Sequence, residues 1–247
     1  MRIPRFYVDT LLASGTTVEL SAEAAHHALQ VLRLKAGAPL RVFNGEGGEY
    51  DAVLVHSTKR SAALAIQQFY DVERESSLRI ELGQAVSRGD RMDFAVQKST
   101  ELGVSSISPL LSEHGIGRLD EKQRCKKQDH WQRIAVNACE QCGRNRIPPV
   151  RMPVPLNEWL SGVQASFKLV LDPESDLAIT RLPDPGDGIC IMIGAEGGFS
   201  ADELAAAKQA GFVGARLGPR VLRTETAAAA ALAALQTCWG DFGESDA

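Results

Sequence analysis

The chain has 247 residues, of which 44% are hydrophobic and 23% charged, a balance that excludes disordered, collagenous and coiled-coil proteins. No stretch approaches the roughly 20 apolar residues that span a bilayer, and the N-terminus lacks the apolar core of a signal peptide. Five cysteines, an odd number, argue against a disulfide framework. We therefore expect a soluble protein of the reducing cytoplasm.

The net charge of −4 is unevenly distributed along the chain. Residues 1–70 carry seven basic and six acidic side chains, residues 71–150 thirteen and twelve, and residues 151–247 seven and thirteen. Basic clusters occur at residues 122–127 and 143–146. They are compatible with RNA contact and equally with a solvated charged surface, because the overall charge does not favour binding nucleic acid by bulk charge.

The first seventy residues alternate short apolar runs with turns, a pattern typical of short strands. Asn44-Gly45 lies between two runs and predicts a hairpin, and Ser21 is a suitable N-cap for one helix that ends near Gly37. The predicted strands are Arg5–Val8, Thr17–Leu20, Leu40–Phe43, Tyr50–Val55 and Ala63–Phe69. We expect residues 1–72 to form a small β-barrel domain that carries this helix.

After the polar stretch Asp71–Ser77 strands alternate with helices, which predicts an α/β domain with a mainly parallel sheet over residues 73–247. The predicted strands are Leu78–Ala85, Ser105–Leu111, Phe167–Asp172, Ile189–Gly194 and Ala215–Gly218. The predicted helices are Asp90–Leu102, Gln128–Cys142, Ser200–Ala210 and Glu225–Cys238. Ser200 and Glu203 have the spacing of a capping box.

A glycine-rich turn connects one buried strand to a capped helix, in the stretch Ile193-Gly-Ala-Glu-Gly-Gly-Phe-Ser200. Glycine lets backbone amides approach a ligand closely, and a helix start adds partial positive charge. Ligands of open α/β sheets bind at such carboxyl ends of strands. The pattern is neither a dinucleotide fingerprint nor a P-loop, and a tight turn without a ligand is equally compatible with it.

A second turn, Leu217-Gly-Pro-Arg-Val-Leu-Arg-Thr-Glu-Thr-Ala227, places two arginines among apolar residues before an alanine-rich helix. Burying an unpaired arginine costs several kcal/mol, so we expect Arg220 and Arg223 to have an anionic or carbonyl partner. The alternative to a ligand is a structural salt bridge to Glu225 or Asp202.

Other chemical motifs are weak. Cys139 and Cys142 have the spacing of half a zinc site, but no second close pair exists, and we predict no metal. No Gly-x-Ser-x-Gly sequence is present, which argues against a serine hydrolase.

The two glycine-rich turns closely resemble signatures of the RsmE family, the SPOUT-class methyltransferases that modify N3 of a uridine in 16S ribosomal RNA. Further resemblance to that family, in the same order, occurs at Arg5–Asp9, His26–Arg33, Asp90–Gly103 and Glu140–Pro148. The likeness covers nearly the whole chain. One position departs from the pattern, because the family usually has proline where this chain has Ala195. Alanine can adopt the φ of proline, so we expect the turn to survive with a more mobile loop.

The resemblance implies an α/β fold of SPOUT type with a parallel sheet and a C-terminal trefoil knot, preceded by a PUA-like β-barrel that binds RNA. It implies S-adenosylmethionine as cofactor, held among the knotted loops. The matching positions in this chain are Leu171, Ile193, Gly194, Glu196, Gly197, Gly198, Leu217, Gly218, Val221 and Leu222. Apolar walls and backbone groups of this kind suit an adenine ring.

The implied reaction sets a chemical requirement, because neutral uridine carries a proton on N3 and that proton must leave during methylation. The resulting negative charge requires a cation or a base nearby. We assign Arg223 as the catalytic cation and Glu196 as a base or a cofactor contact, although a nearby arginine would keep Glu196 ionised and weaken it as a base.

The resemblance also implies partners: 16S ribosomal RNA in the small subunit or a late assembly intermediate, and a second copy of the chain. The RNA-binding residues expected from it are Arg5, Arg33, Lys35, Arg144, Asn145 and Arg146. The helix Glu225–Cys238 is a candidate dimer contact, with close packing inside the chain as the alternative. Two other functions stay open: a SPOUT methyltransferase of another RNA, and a non-catalytic RNA-binding assembly factor.

Overall fold

The computed structural model of the chain describes residues 3–58, 61–186 and 188–243. The chain forms two compact units: Met1–Glu75 together with Cys139–Ile147, and Ser76–Ala138 together with Pro148–Ala247. The predicted domains, residues 1–72 and 73–247, stay predictions. The units differ from them in that residues 139–147 cluster with the first unit.

The first unit contains a five-stranded, mostly antiparallel sheet with strand order β1-β3-β4-β5-β2. Its strands are β1 (Arg5–Tyr7), β2 (Thr17–Glu19), β3 (Pro39–Phe43), β4 (Glu49–Ser57) and β5 (Ala62–Tyr70). The hairpin predicted at Asn44-Gly45 is confirmed, because β3 and β4 pair antiparallel and Gly45 has φ of 88°. The backbone pairings of the described residues do not join β1 to β2. The β-barrel expected for this unit stays a prediction.

The helix of the first unit is short and changes its winding. Helix α1 (Ala22–His26) continues into a π-helical turn over His27–Val31. Ser21 caps its N-terminus as predicted, since the Ser21 hydroxyl accepts a hydrogen bond of 3.2 Å from the Ala24 N–H. Alternating apolar residues of the strands and the helix form one core, which includes Phe6, Leu40, Leu54, Leu64, Ala25 and Ala28.

The second unit is built on a six-stranded parallel sheet with strand order β11-β9-β10-β6-β7-β8. Its strands are β6 (Arg79–Ala85), β7 (Ser106–Leu111), β8 (Val154–Pro155), β9 (Phe167–Leu171), β10 (Gly188–Ile193) and β11 (Val213–Ala215). Its helices are α2 (Arg91–Glu101), α3 (Glu121–Cys142, whose last residues belong to the first unit), α4 (Leu156–Gly162), α5 (Ala201–Gln209) and α6 (Thr224–Trp239). A 3-10 turn spans Ile179–Arg181. Apolar residues cover both faces of the central strands, as parallel sheets require.

The structure corrects two predicted elements and adds others. Helix α3 begins at Glu121 rather than Gln128, because Asp120 and Gln123 form reciprocal capping hydrogen bonds of 2.8 and 3.0 Å. Strand β11 covers Val213–Ala215 rather than Ala215–Gly218, because its pairing with β9 ends at Ala215 and Gly218 has φ of 73° in the following turn. Strand β8, helix α4 and the 3-10 turn were not predicted.

Candidate active site

The two glycine-rich turns leave neighbouring parts of one sheet edge. Strands β9, β10 and β11 are parallel, so their carboxyl ends meet at that edge. In the register of the sheet Val170 pairs with Met192 and Leu171 with Ala215. The structure therefore brings the start of both turns together around the end of β9, at the edge where open α/β sheets bind ligands.

The first turn, residues 194–199, is closed by a hydrogen bond of 2.9 Å from the Gly198 N–H to the Ala195 carbonyl. A Cβ at Gly194 would lie 3.0 Å from the Gly198 backbone, and one at Gly197 would lie 2.9 Å from the Cβ of His114. The His114 Nδ1 is also 3.0 Å from the Gly197 carbonyl oxygen. A side chain is thus excluded at positions 194 and 197 of the turn, and Ala195 is buried where the family usually has proline.

Thr224 and Gln84 connect the second turn to the first. The Thr224 hydroxyl donates a hydrogen bond of 2.6 Å to the Gly194 carbonyl, and the Gln84 amide donates one of 2.9 Å to the Thr224 oxygen. Thr224 is 5% exposed and Gln84 1%. This chain of hydrogen bonds fixes the start of α6 against the ends of β6 and β10. Among the described residues, the Gln84 Oε1 has no partner.

Sequence reasoning missed these two positioning residues. The available signal for Gln84 was an amide that shares one face of the strand with the apolar Ile80 and Leu82, since alternate residues of a strand point the same way. A buried amide needs hydrogen-bond partners, so such a residue indicates a polar contact in the interior. Thr224 carried no comparable signal, because a threonine beside an arginine at a helix start reads as a capping residue.

Both arginines of the second turn are exposed, contrary to the expectation of burial. Neither Arg220 nor Arg223 belongs to an ion pair of the described residues, so the alternative salt bridges to Glu225 and Asp202 do not form there. Arg223 occupies the N-cap position of α6. Its side chain is available to a ligand while its backbone is held by the neighbouring Thr224.

Glu196 lies exposed in the first turn and already has cationic and amide partners. Its carboxylate accepts hydrogen bonds from Arg91 at 2.5 Å and from the Arg88 N–H at 3.3 Å. Desolvation alone would raise the pKa of Glu196, but these bonds and one from its own N–H outweigh it and lower the pKa. A carboxylate held ionised in this way is a weak proton acceptor.

The other predicted cofactor positions differ in exposure. Leu171, Gly194, Leu217 and Leu222 are half-buried and Ile193 is buried, whereas Gly218 is exposed. Val221 is 82% exposed, a large apolar side chain at the surface of the turn. The geometry brings these positions to one sheet edge; as cofactor contacts they stay predictions.

Four of the six predicted RNA-binding residues, Arg5, Arg144, Asn145 and Arg146, have partners inside the first unit. Arg5 forms an ion pair with the buried Glu49, and its guanidinium donates to the Asn145 Oδ1 at 2.8 Å and to the Arg144 carbonyl at 3.0 Å. Burial, with the neighbouring Arg74, lowers the pKa of Arg5 to about 10. These contacts stabilise the interior of the unit and leave little of Arg5 for RNA.

The segment 143–146 likewise has partners in its own unit. Arg144 is buried and pairs with Glu75, and the Asn145 amide donates to the Val72 carbonyl at 2.7 Å. Arg146 is exposed but pairs with Glu73 at 2.7 Å. Arg33 and Lys35 are exposed and form no ion pair with the described residues. All six residues stay predicted RNA contacts. Burial of Arg144 and Asn145 argues against RNA contact at these two positions.

Two absences concern residues 3–58, 61–186 and 188–243. No group of three or more His, Cys, Asp or Glu side chains that could hold a metal ion occurs there. No helix there is both long and apolar enough to cross a membrane. None of the five cysteines forms a disulfide, and Cys139 is buried beside Cys142.

Comparison with known proteins matches both parts of the chain to families. A family described as the RNA methyltransferase domain matches residues 74–236, and one described as the RNA methyltransferase PUA domain matches residues 20–67. A relative from Buchnera aphidicola of Acyrthosiphon pisum, named ribosomal RNA small subunit methyltransferase E, is 38% identical over 98% of this chain and 96% of its own. The protein of that name from Bacillus subtilis is 28% identical over 94% and 95%.

Solved structures agree with this assignment. A methyltransferase from Legionella pneumophila, solved with bound SAM, is 41% identical, with a TM-score of 0.94 over 98% of this chain and 100% of its own. The ribosomal RNA small subunit methyltransferase E of Neisseria gonorrhoeae, bound to S-adenosyl methionine, is 40% identical with a TM-score of 0.90 over 98% and 100%. The α/β fold, the PUA domain and the methyltransferase class predicted from the sequence are confirmed. The chain belongs to the RNA methyltransferase family whose members are named ribosomal RNA small subunit methyltransferase E.

Proposed function

We propose that this chain transfers a methyl group from S-adenosylmethionine to N3 of a uridine in 16S ribosomal RNA of the small subunit. The names of its relatives support the small-subunit substrate, and the SAM-bound neighbours support the predicted cofactor. The observation that carries the proposal is the hydrogen bond from Thr224 to Gly194, which joins both glycine-rich turns beside the exposed Arg223. A donor and an RNA base can meet only where such elements converge.

The residues at the sheet edge fit this cofactor. The turn at residues 194–198 is a cradle that Cβ atoms at Gly194 or Gly197 would fill, and Leu171, Ile193 and Leu217 offer apolar surface to an adenine ring. We propose that Gly194, Glu196, Gly197, Gly198, Gly218, Val221 and Leu222 complete the binding surface. When bound, S-adenosylmethionine supplies an electrophilic methyl group on a sulfonium centre.

We assign to Arg223 the stabilisation of the negative charge that develops on the reacting base. Transfer of the N3 proton to solvent water leaves negative charge on the uracil ring. An adjacent guanidinium stabilises that charge and lowers the pKa of the base. Glu196 is better suited to orienting than to accepting the proton, because Arg91 and Arg88 hold it ionised. In this proposal Glu196 fixes the first turn and contacts the cofactor.

We propose that the second unit has the SPOUT topology with a C-terminal trefoil knot. Two contacts support threading of the last segment. Arg216, after β11, exchanges backbone hydrogen bonds of 2.8 and 3.1 Å with Leu177 and Ile179, and Thr224 then reaches Gly194 at the end of β10. The chain after β11 is thus bonded to the loop after β9 and to the turn after β10.

We further propose a homodimer that works in the cytoplasm. Val221 is a large apolar side chain left 82% exposed at the site, and exposed apolar residues beside a site often mark an interface. The buried face of α6, with Ala228, Ala231 and Leu235, packs inside the chain and is not available for this contact. The predicted dimer contact through α6 would therefore use its half-buried alanines.

Nucleoside analysis tests which RNA is methylated and at which atom of the base. We expect 16S ribosomal RNA from cells that lack the gene to lose one N3-methyluridine, and the gene supplied in trans to restore it. Mass spectrometry of nucleosides from separated ribosomal and transfer RNA measures this. Loss of a methylated nucleoside from transfer RNA alone would contradict the substrate, and no loss together with no calorimetric binding of S-adenosylmethionine would indicate a non-catalytic assembly factor.

A further inference from the structure

We propose that the exposed face of the first half of α3 binds the phosphate backbone of the RNA that flanks the target base. This inference rests on the proposed methyl transfer to RNA. The face contains Lys122, Lys126 and Arg133, all exposed. At 100° per residue these three positions fall within a sector of about 40° on the helix surface. Asp129 is also exposed and lies about 20° from Lys122 on the same face, so the face carries three positive charges and one negative. We call its three basic side chains the α3 stripe.

No ion pair within the part of the chain that the structure describes neutralises the α3 stripe. None of its three side chains takes part in an ion pair of the described residues. Arg133 donates only to the backbone carbonyl of Asp129, at 3.3 Å. Residues 118–133 hold six basic and three acidic side chains, whereas the whole chain has a net charge of −4. A local excess of positive charge on an acidic protein indicates a surface for a polyanion.

The loop before α3 anchors the stripe to the edge that carries the proposed active site. This loop, residues 112–120, leaves the carboxyl end of β7, and its His114 contacts the Gly197 carbonyl at 3.0 Å. Its Ile116 N–H donates to the Val86 carbonyl at 3.2 Å, and Asp120 caps α3 through Gln123. Lys122 is eight positions after His114 in the chain, which limits their Cα distance to about 29 Å. An RNA strand whose base enters the site can therefore reach the stripe.

RNA is the polyanion that the observations favour. Phosphate contacts from lysine and arginine position a nucleic acid without reading its sequence, which suits an exposed stripe of long basic side chains. Arg5, Arg144 and Asn145, predicted to contact RNA, are bonded within the first unit. Phosphate contacts are therefore needed at other positions of the chain. The methyltransferase unit then supplies part of the RNA affinity by itself. An acidic protein partner is the competing occupant, and the experiment below separates the two.

The test compares Lys122→Glu/Lys126→Glu with the control Arg151→Glu/Lys208→Glu in the full chain. S-adenosylhomocysteine is bound, so that no methyl group is transferred during the measurement. The control residues are exposed, form no ion pair with the described residues and change the net charge equally. The probe is purified small ribosomal subunits that lack the methyl group, and filter binding at several salt concentrations gives affinity. We expect at least tenfold weaker binding for the stripe variant, with the slope of log affinity against log salt reduced by about 0.7 per lost phosphate contact.

Three further readings make the outcome decisive. Calorimetric affinity for S-adenosylmethionine should stay within twofold of wild type, and the neutral pair Lys122→Gln/Lys126→Gln should show a smaller loss of RNA affinity in the same direction. Subunit binding within twofold of the control, with an unchanged salt slope, would overturn the proposal and leave the stripe to a protein partner or to solvent. If wild type binds the subunits through the stripe but methylates no uridine, the proposed function fails and the stripe stands.

Discussion

Arg223 combines a fixed backbone with a free side chain, because Thr224 next to it is hydrogen bonded to Gly194 while the guanidinium is exposed. If the guanidinium stabilises the deprotonated base, Arg223→Ala should lower the methyl-transfer rate by about 10²-fold or more. Affinity for S-adenosylmethionine should change little. Single-turnover transfer and calorimetry measure both, with Arg151→Ala as the exposed control. A rate equal to that of the control would remove Arg223 from the reaction.

Thr224 is the second residue whose role is open to a direct test. Thr224→Val removes the hydroxyl and leaves the Gln84 amide and the Gly194 carbonyl without that partner, which should cost about 1–3 kcal/mol of unfolding free energy. The two turns would also lose their connection, so we expect roughly tenfold weaker binding of S-adenosylmethionine, equivalent to about 1.4 kcal/mol. Urea unfolding and calorimetry report these changes. Thr224→Ser keeps the hydroxyl and should restore both; a serine variant as impaired as valine would argue against the hydrogen bond.

At the scale of the elements, the end of helix α3 carries Glu140, a carboxyl group of the first unit that makes stability depend on pH. Glu140 accepts a hydrogen bond of 2.9 Å from the Tyr7 N–H. Desolvation by burial raises the pKa of Glu140 from 4.5 to about 7. Between these two pH values the folded chain binds a proton that the unfolded chain has lost, so stability falls as pH rises through this window, by roughly 3 kcal/mol from this group.

The substitution Glu140→Gln isolates this effect, because glutamine can still accept from Tyr7 but has no proton to lose. We expect wild type to lose stability relative to the variant between pH 5 and pH 7.5, with the two closest at low pH. Urea unfolding across that range measures the difference. A constant difference between the two proteins at every pH would show that Glu140 has an ordinary pKa.

Elements with strong local signals were predictable from the sequence, and those set by distant contacts were not. The capping box at Ser200 and Glu203 is present as predicted, since both of its hydrogen bonds are local. The first two turns of α3 were missed because their charged residues have no apolar periodicity, and the cap at Asp120 decides their conformation. Strand β8 has only two residues and exists because β7 pairs with it.

At the scale of the whole molecule, the predicted parallel sheet explains why the two turns are neighbours, and the family resemblance supplied the cofactor and reaction expected there. Both glycine-rich turns reach one edge of the sheet, as parallel strands require. Composition could not reveal that Arg144 is buried against Glu75, because that pair is separated by 69 residues. Nor could it reveal that Gln84 and Thr224, 140 residues apart, hold the turns together. Contacts between distant parts of the chain appear only once the fold is known.

Methyl transfer from radiolabelled S-adenosylmethionine to purified small ribosomal subunits that lack the modification tests the central claim most directly. The wild-type chain should incorporate close to one methyl group per subunit, recovered as N3-methyluridine in 16S ribosomal RNA, and large subunits should stay unlabelled. Absence of label in the small subunit, from a folded chain that binds S-adenosylmethionine, would contradict the assignment.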